Sequence, residues 1–229
     1  VSRCKDKSLT AMCPSFAKLG HMSFSSSERS KLAQLLHDLG PDAPTLCEGW
    51  TTRDMAAHLW TRENQFVATA GVFVPALSDR AEQAHAETAQ RDYDKVVDEW
   101  GRGPTGLNPW RVLDSKGNFA EHFIHHEDVR RANGQDEPRD FSRVVNKQMH
   151  STLEKLAKAM LRKSKQPVVL YPEGFSRIVA ADSNGVSENG SAVVAVHGEV
   201  GELLLWVYGR DAAHVKIEGD ESQVVKSSL

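Results

Sequence analysis

Apolar positions along this chain change their period once. Up to about residue 165 they recur at helical spacing, and from Pro167 onward short β-rich runs take over. Leu32, Leu35, Leu36 and Leu39 fall at i, i+3, i+4 and i+7, behind Ser25-x-x-Glu28, which reads as a capping box, and ahead of the breaker Gly40-Pro41. Trp50-Thr51-Thr52-Arg53-Asp54-Met55 then supplies an N-cap threonine, an early acidic residue and a Trp50–Met55 staple. A second helix is therefore expected from near Thr52, with Met55, Ala56, Leu59 and Phe66 inward and His58 beside that stripe. Ser78 to Trp100 reads as one long polar helix with a weak apolar edge, stopped by Gly101-Arg-Gly-Pro104. The stretch to Gly117 is expected to be a loop with Trp110 and Val112 tucked onto the helices. Asn118 to Gly134 predicts the next helix. Asp140 or Ser142 caps a last one, with Val145, Met149, Leu153, Leu156 and Met160 in register as far as Lys163.

Beyond Pro167, strands are expected at Val168–Tyr171, Arg177–Ala181 and Ala192–His197, with Asp182-Ser-Asn-Gly185 as a turn. Val200, Leu203, Leu204 and Val207 return to helical spacing up to Gly209, and Val215–Glu218 closes the pattern as a strand. The fold class is α+β: a helical bundle over residues 24–165, then a small α+β domain over 166–229. Residues 1–23 show neither period and read as a disordered leader, with Met22 a natural start.

Composition narrows the function. In 229 residues, 40% are apolar and 26% charged, ordinary for a soluble globular chain, and a formal net charge of -3 speaks against a nucleic-acid binder. The run Arg162-Lys-Ser-Lys165 reads as a solvated helix end. No apolar stretch approaches the ~20 residues of a membrane span. Three cysteines without a framework spacing point to a reducing cytoplasm, and Cys4, Cys13 and His21 match no zinc pattern.

The densest chemistry lies in Asn118–Gly134. Asn118 is a fitting N-cap and Asn133-Gly134 a fitting stop, so Glu121 and His125 stand one turn apart on one helical face, where a carboxylate and an imidazole can converge on one ion. A third ligand must come from elsewhere. Bundles build metal sites from inward side chains on facing helices, and His58 is placed for this, although a histidine beside an apolar stripe also serves as a plain core residue. Two imidazoles and a carboxylate plus water is the arrangement of catalytic zinc.

Leu46-Cys-Glu-Gly-Trp50-Thr-Thr-Arg-Asp54-Met-Ala-Ala-His58-Leu, together with Glu121-His-Phe-Ile-His125-His-Glu-Asp-Val-Arg130-Arg, resembles the DinB-like, mycothiol-dependent maleylpyruvate isomerase superfamily of actinobacteria. The resemblance implies a DinB-like four-helix bundle with His58, Glu121 and His125 as metal ligands, zinc first, with nickel or iron as alternatives. Gly201-Glu-Leu-Leu-Leu-Trp206-Val-Tyr-Gly-Arg210 resembles the sterol-carrier-like unit that follows the bundle in these proteins. It implies that Arg210 faces the metal pocket and holds a substrate carboxylate, whereas a cation ending a helix can equally serve the helix dipole and its free carbonyls.

His122, Asp128 and Arg62 are candidates for groups bracing the ligands. His126 is expected at the surface, and Glu127, Asp128, Arg130 and Arg131 as an ion-pair network. The doubled histidines and the Arg130-Arg131 pair liken the chain to a metal-binding subgroup rather than to the isomerase itself. The expected function is activation of a small thiol such as mycothiol, or of water, toward an electrophilic substrate by a monomer or homodimer. The alternative is a non-catalytic metal- or thiol-binding protein of the same fold.

Overall fold

The computed structural model describes residues 23–65, 78–105, 108, 118–182 and 193–227. Among these lie seven helices and four strands: α1 (Phe24–Leu39), α2 (Thr52–Asn64), α3 (Ser78–Ala89), α4 (Tyr93–Gly101), α5 (Phe119–Ala132), α6 (Arg143–Met160), β1 (Val168–Pro172), β2 (Ile178–Ala181), β3 (Val194–Gly198), α7 (Val200–Val207) and β4 (Lys216–Glu218). Expectations for Phe66, Trp110, Val112, the Ser183–Gly185 turn and residues 1–22 fall outside the described residues. No helix among the described residues is long and apolar enough to cross a membrane.

Two helix boundaries differ from the sequence reading. The N-cap of α1 is Ser23, whose side chain accepts from Ser26 N at 3.1 Å, so Ser25 and Glu28 lie inside the helix as buried residues and form no capping box. The polar stretch from Ser78 is two helices, because Asp92 accepts from Lys95 N at 3.0 Å and starts α4 afresh. The α2 box holds, with the Asp54 carboxylate accepting from Thr51 N at 2.9 Å, and Ser142 caps α6.

Helices α1, α2, α4 and α5 form the bundle. Leu32 and Leu36, Met55, Ala56 and Leu59, Val96, Val97 and Trp100, and Val129 meet in one buried cluster. The sheet has order β2-β1-β3-β4, with β1 parallel to β3 and both outer pairs antiparallel. Val168, Leu170, Ile178, Val194 and Val196 share a second core with Met149, Leu153 and Ala157 of α6 and Leu203, Leu204 and Val207 of α7. That core also takes in Phe119, Phe123 and Ile124, so α5 joins both halves. A Cβ at Gly201 would meet the Phe123 ring at 3.1 Å, which is why α7 can lie so close to α5.

Eleven of the 14 residues of α5 are buried, among them His122, His125, His126, Glu127, Asp128 and Arg131. His126 is therefore interior, contrary to the surface position expected: its Nδ1 lies 2.9 Å from Glu28 Oε2, and Arg139 grips the same carboxylate at 2.6 and 3.0 Å. Glu127 accepts from Arg130, Arg131 and Arg139, and Arg131 reaches Glu202 of α7 at 2.6 Å. On the opposite flank Glu63 accepts from Arg29 at 2.8 and 2.9 Å, Asn118 at 3.0 Å and His122 at 3.2 Å.

Burial by itself would raise the Glu28 carboxyl, but hydrogen bonds from His126 and Arg139 bring it from 4.5 down to about 2. Because the folded value lies below the unfolded one, this stabilisation is complete above pH ~5 and is lost as the pH falls toward 2. We expect on the order of 3 kcal/mol to disappear over that window in denaturant titrations. Glu28→Gln should flatten the slope; an unchanged pH profile would place the acid lability elsewhere.

Candidate metal centre

The sequence stations His58 two turns into α2 and Glu121 and His125 one turn apart on α5, and the fold brings these three side chains together. His58 Nε2 and His125 Nε2 each lie 3.2 Å from the same atom, Glu121 Oε1. The two imidazoles cross edge to face with centroids 5.1 Å apart. One ligand atom from each residue falls within 4.8 Å of the others. A tetrahedral zinc with bonds of about 2.0–2.1 Å holds neighbouring ligand atoms roughly 3.3 Å apart, so the spacing suits such an ion.

The surroundings are polar on one side and aromatic on the other. Arg62 Nε stands 3.4 Å from Glu121 Oε1, and its Nη1 donates to Asn118 Oδ1. Trp50 packs against His58 at 5.1 Å between centroids and stacks on His85 at 5.3 Å. The second nitrogen of His125, Nδ1, lies 3.0 Å from Asp128 Oδ2, which fixes the ring with Nε2 toward Glu121. Arg210 then holds Asp128 through two bonds, Nε to Oδ1 at 2.7 Å and Nη2 to Oδ2 at 2.8 Å. Its Nη1 donates to the Tyr208 carbonyl at 2.9 Å. Arg210 thus meets a free carbonyl at the end of α7 and also reaches the support of His125; its guanidinium is engaged by Asp128 rather than pointing unbound into the centre. His122 faces Ser25 and Glu63 through its two ring nitrogens, away from the three converging donors.

Protonation follows from these contacts. Burial would raise the Glu121 carboxyl, but hydrogen bonds from His125 and His58 hold it well below the usual carboxylate range. Burial would likewise depress His125, yet its bonds to Asp128, Cys47 and Glu121 carry it well above the ordinary imidazole value. His58 goes the other way: burial, with help from the His125 charge, keeps it low against its bond to Glu121. Asp128 is brought to about 2, against burial, by Arg210 and His125.

Cys47 enters the site although sequence reasoning assigned it no role. Its thiol donates to Asp128 Oδ2 at 3.3 Å and takes Arg210 Nη2 at 3.5 Å, while Leu46 N donates to Asp128 O at 3.1 Å. Its place in the Leu46–Leu59 motif was the available signal. Cys47, His125 and Asp128 form a second group with donor atoms within 4.8 Å. Both Asp128 oxygens already accept from Arg210, so a cation there would confront a guanidinium, and the first group is the better cation site.

Asp128 is fully buried and Arg210 mostly so. Arg210→Met should cost about 1–3 kcal/mol in urea denaturation by leaving that carboxylate short of a partner, and adding Asp128→Asn should recover part of the loss. A change within about 0.5 kcal/mol would mean that the pair does not hold the C-terminal unit to α5.

Residues 26–110 match the model of the mycothiol maleylpyruvate isomerase N-terminal domain, a span that includes His58 but not Glu121 or His125. No curated protein sequence matches. Among solved structures, the crystal structure of the mycothiol-dependent maleylpyruvate isomerase superposes with a TM-score of 0.55 at 14% identity, covering 90% of this chain and 92% of that one. A histidine-to-alanine mutant of the mycothiol-dependent maleylpyruvate isomerase superposes with a TM-score of 0.53 at the same identity and coverage. Over residues 26–110 the chain is thus similar to the mycothiol maleylpyruvate isomerase N-terminal domain, and over nearly its whole length it has the fold of that isomerase.

Proposed function

We propose that this is a divalent-metal protein of zinc type, in which His58, Glu121 and His125 hold the ion and a small thiol such as mycothiol is activated toward an electrophile. The observation that carries the reading is the convergence of His58 Nε2 and His125 Nε2 on Glu121 Oε1, each at 3.2 Å. When bound, a divalent ion lowers the pKa of a coordinated thiol or water and so makes a nucleophile available at neutral pH. Zinc suits two imidazoles and one carboxylate; nickel and iron are the alternatives.

The chain's own residues do the rest. Asp128 fixes the tautomer and angle of His125, and Arg210 keeps Asp128 in place and ionised. Arg62 offsets part of the Glu121 charge. The Trp50 ring covers one flank of His58, and His85 stacks on Trp50 in turn. The family match over residues 26–110 supports mycothiol as the thiol, and the cysteine usage supports a reducing cytoplasm as its setting.

Two measurements test this. His58→Ala should lower zinc occupancy at least tenfold in a competitive chelator titration, while circular dichroism stays near that of the wild type, since the apolar stripes supply most of the burial. Equal occupancy in the variant would sink the ligand assignment. A screen of small electrophiles with and without mycothiol should show thiol-dependent turnover by the zinc-loaded protein; zinc uptake without turnover would leave a metal-binding protein of this fold.

A further inference from the structure

We infer that the cleft between α1 and the C-terminal half of α5 is an anion site, which takes the phosphate of a small hydroxylated phosphomonoester. It shares no residue with the metal centre. The cleft holds about 520 Å³, inside the roughly 300–1,000 Å³ of small-molecule sites. Lys31 of α1, His126 and Arg130 of α5, and Arg139 beyond it form its wall. The charges of this wall are sorted by depth. Glu28 and Glu127, which anchor it, are almost fully buried and do not line the cleft, whereas Arg130 and Arg139 do. Glu28 accepts from His126 and, through both oxygens, from Arg139; Glu127 accepts from Arg130, Arg131 and Arg139. An occupant meets cations in front and carboxylates behind them. Asp38, the one carboxylate among the lining residues, already accepts from Gln34 at 2.8 Å, and Lys31 stands more than half exposed, 3.8 Å from Glu28.

Donors remain on this wall. Arg130 meets Glu127 through Nη1 alone, so its Nε and Nη2 have no partner among the described residues, and that edge of a guanidinium holds two oxygens of an oxyanion side by side. Arg139 is fixed by its bonds to Glu28 and Glu127 and by the rings of Phe123 and Phe141, 5.5 and 4.9 Å from its central carbon. A wall set in advance loses little freedom on binding. The ionised Glu28 only accepts, so His126 gives it Nδ1–H, and the ring's Nε2 has no partner among the described residues. Three cations on one cleft suit a group of more than one negative charge. A phosphomonoester carries about −1.5 to −2 at pH 7 on three acceptor oxygens, where a carboxylate carries one charge on two. The rest of the lining selects the body of the ligand: Leu35 is its one apolar side chain, and Ser30, Gln34 and Gln135 present groups that bond hydroxyls.

Isothermal calorimetry at low salt tests this, with glucose 6-phosphate, inorganic phosphate and glucose titrated into the wild type, Lys31→Gln, Arg130→Gln and His58→Ala. We expect one glucose 6-phosphate per chain, held about threefold or more tightly than inorganic phosphate, and no heat from glucose. Lys31→Gln should weaken it roughly 3- to 10-fold with the thermal midpoint unchanged, since that side chain is solvated, and Arg130→Gln about tenfold or more. Should Arg130→Gln fail to fold, Lys31→Gln decides alone. His58→Ala should bind as the wild type does. No binding of glucose 6-phosphate by the wild type at millimolar concentration, or wild-type affinity in Lys31→Gln, overturns the assignment. Loss of binding in His58→Ala overturns it too, by placing the phosphate at the metal centre. Equal affinity for inorganic phosphate and the ester also overturns it, because the hydroxyl-bonding side chains then play no part.

Discussion

Charge buried along α5 governs the rest of the molecule. Ionised groups removed from water cost several kcal/mol each unless partners replace the lost hydration, and one helix cannot supply those partners to itself. Three of its four flanks are therefore matched from outside. Glu28 and Arg139 meet His126 and Glu127, Glu63 meets His122, and Glu202 meets Arg131. Each match pins a different element, α1, α2 or α7, at a fixed depth against α5. The fourth flank, with Glu121 and His125, faces His58 and the site.

This arrangement explains how a centre assembled from two helices keeps its geometry. His125 cannot rotate without breaking its bond to Asp128, and Asp128 is held in turn by a residue 82 positions further along the chain. The C-terminal unit thus acts on the centre through the support of His125. The Cys47 loop is tied to the same aspartate through both backbone and thiol. Asp128 is the point where the three parts of the chain that surround the centre meet.

The sequence revealed what depends on local spacing. Helical periods located α1, α2, α5 and α6, and the four-residue interval placed Glu121 and His125 on one face, because these follow from 3.6 residues per turn. Partnerships between elements were not legible in this way. Ser25 and Glu28 have the spacing of a capping box, yet buried histidines 97 and 98 residues away claim both side chains. His126 looked like a surface residue because a histidine on a polar-rich helix has no mark of burial until Glu28 and Arg139 are known to face it. Arg210 was visible as a helix-ending cation, but its engagement with Asp128 depends on how α7 packs.

The central claim is that two imidazoles and one carboxylate, and no protein sulfur, form the metal site. X-ray absorption at the zinc edge of the loaded, thiol-free protein tests it most directly, because zinc–nitrogen bonds near 2.0–2.1 Å and zinc–sulfur bonds near 2.3 Å are separable. The account predicts a shell of nitrogen and oxygen alone with the scattering of two imidazoles, lost in His58→Ala. A sulfur at about 2.3 Å would place the ion with Cys47, His125 and Asp128 instead, and would contradict the assignment of His58 and Glu121.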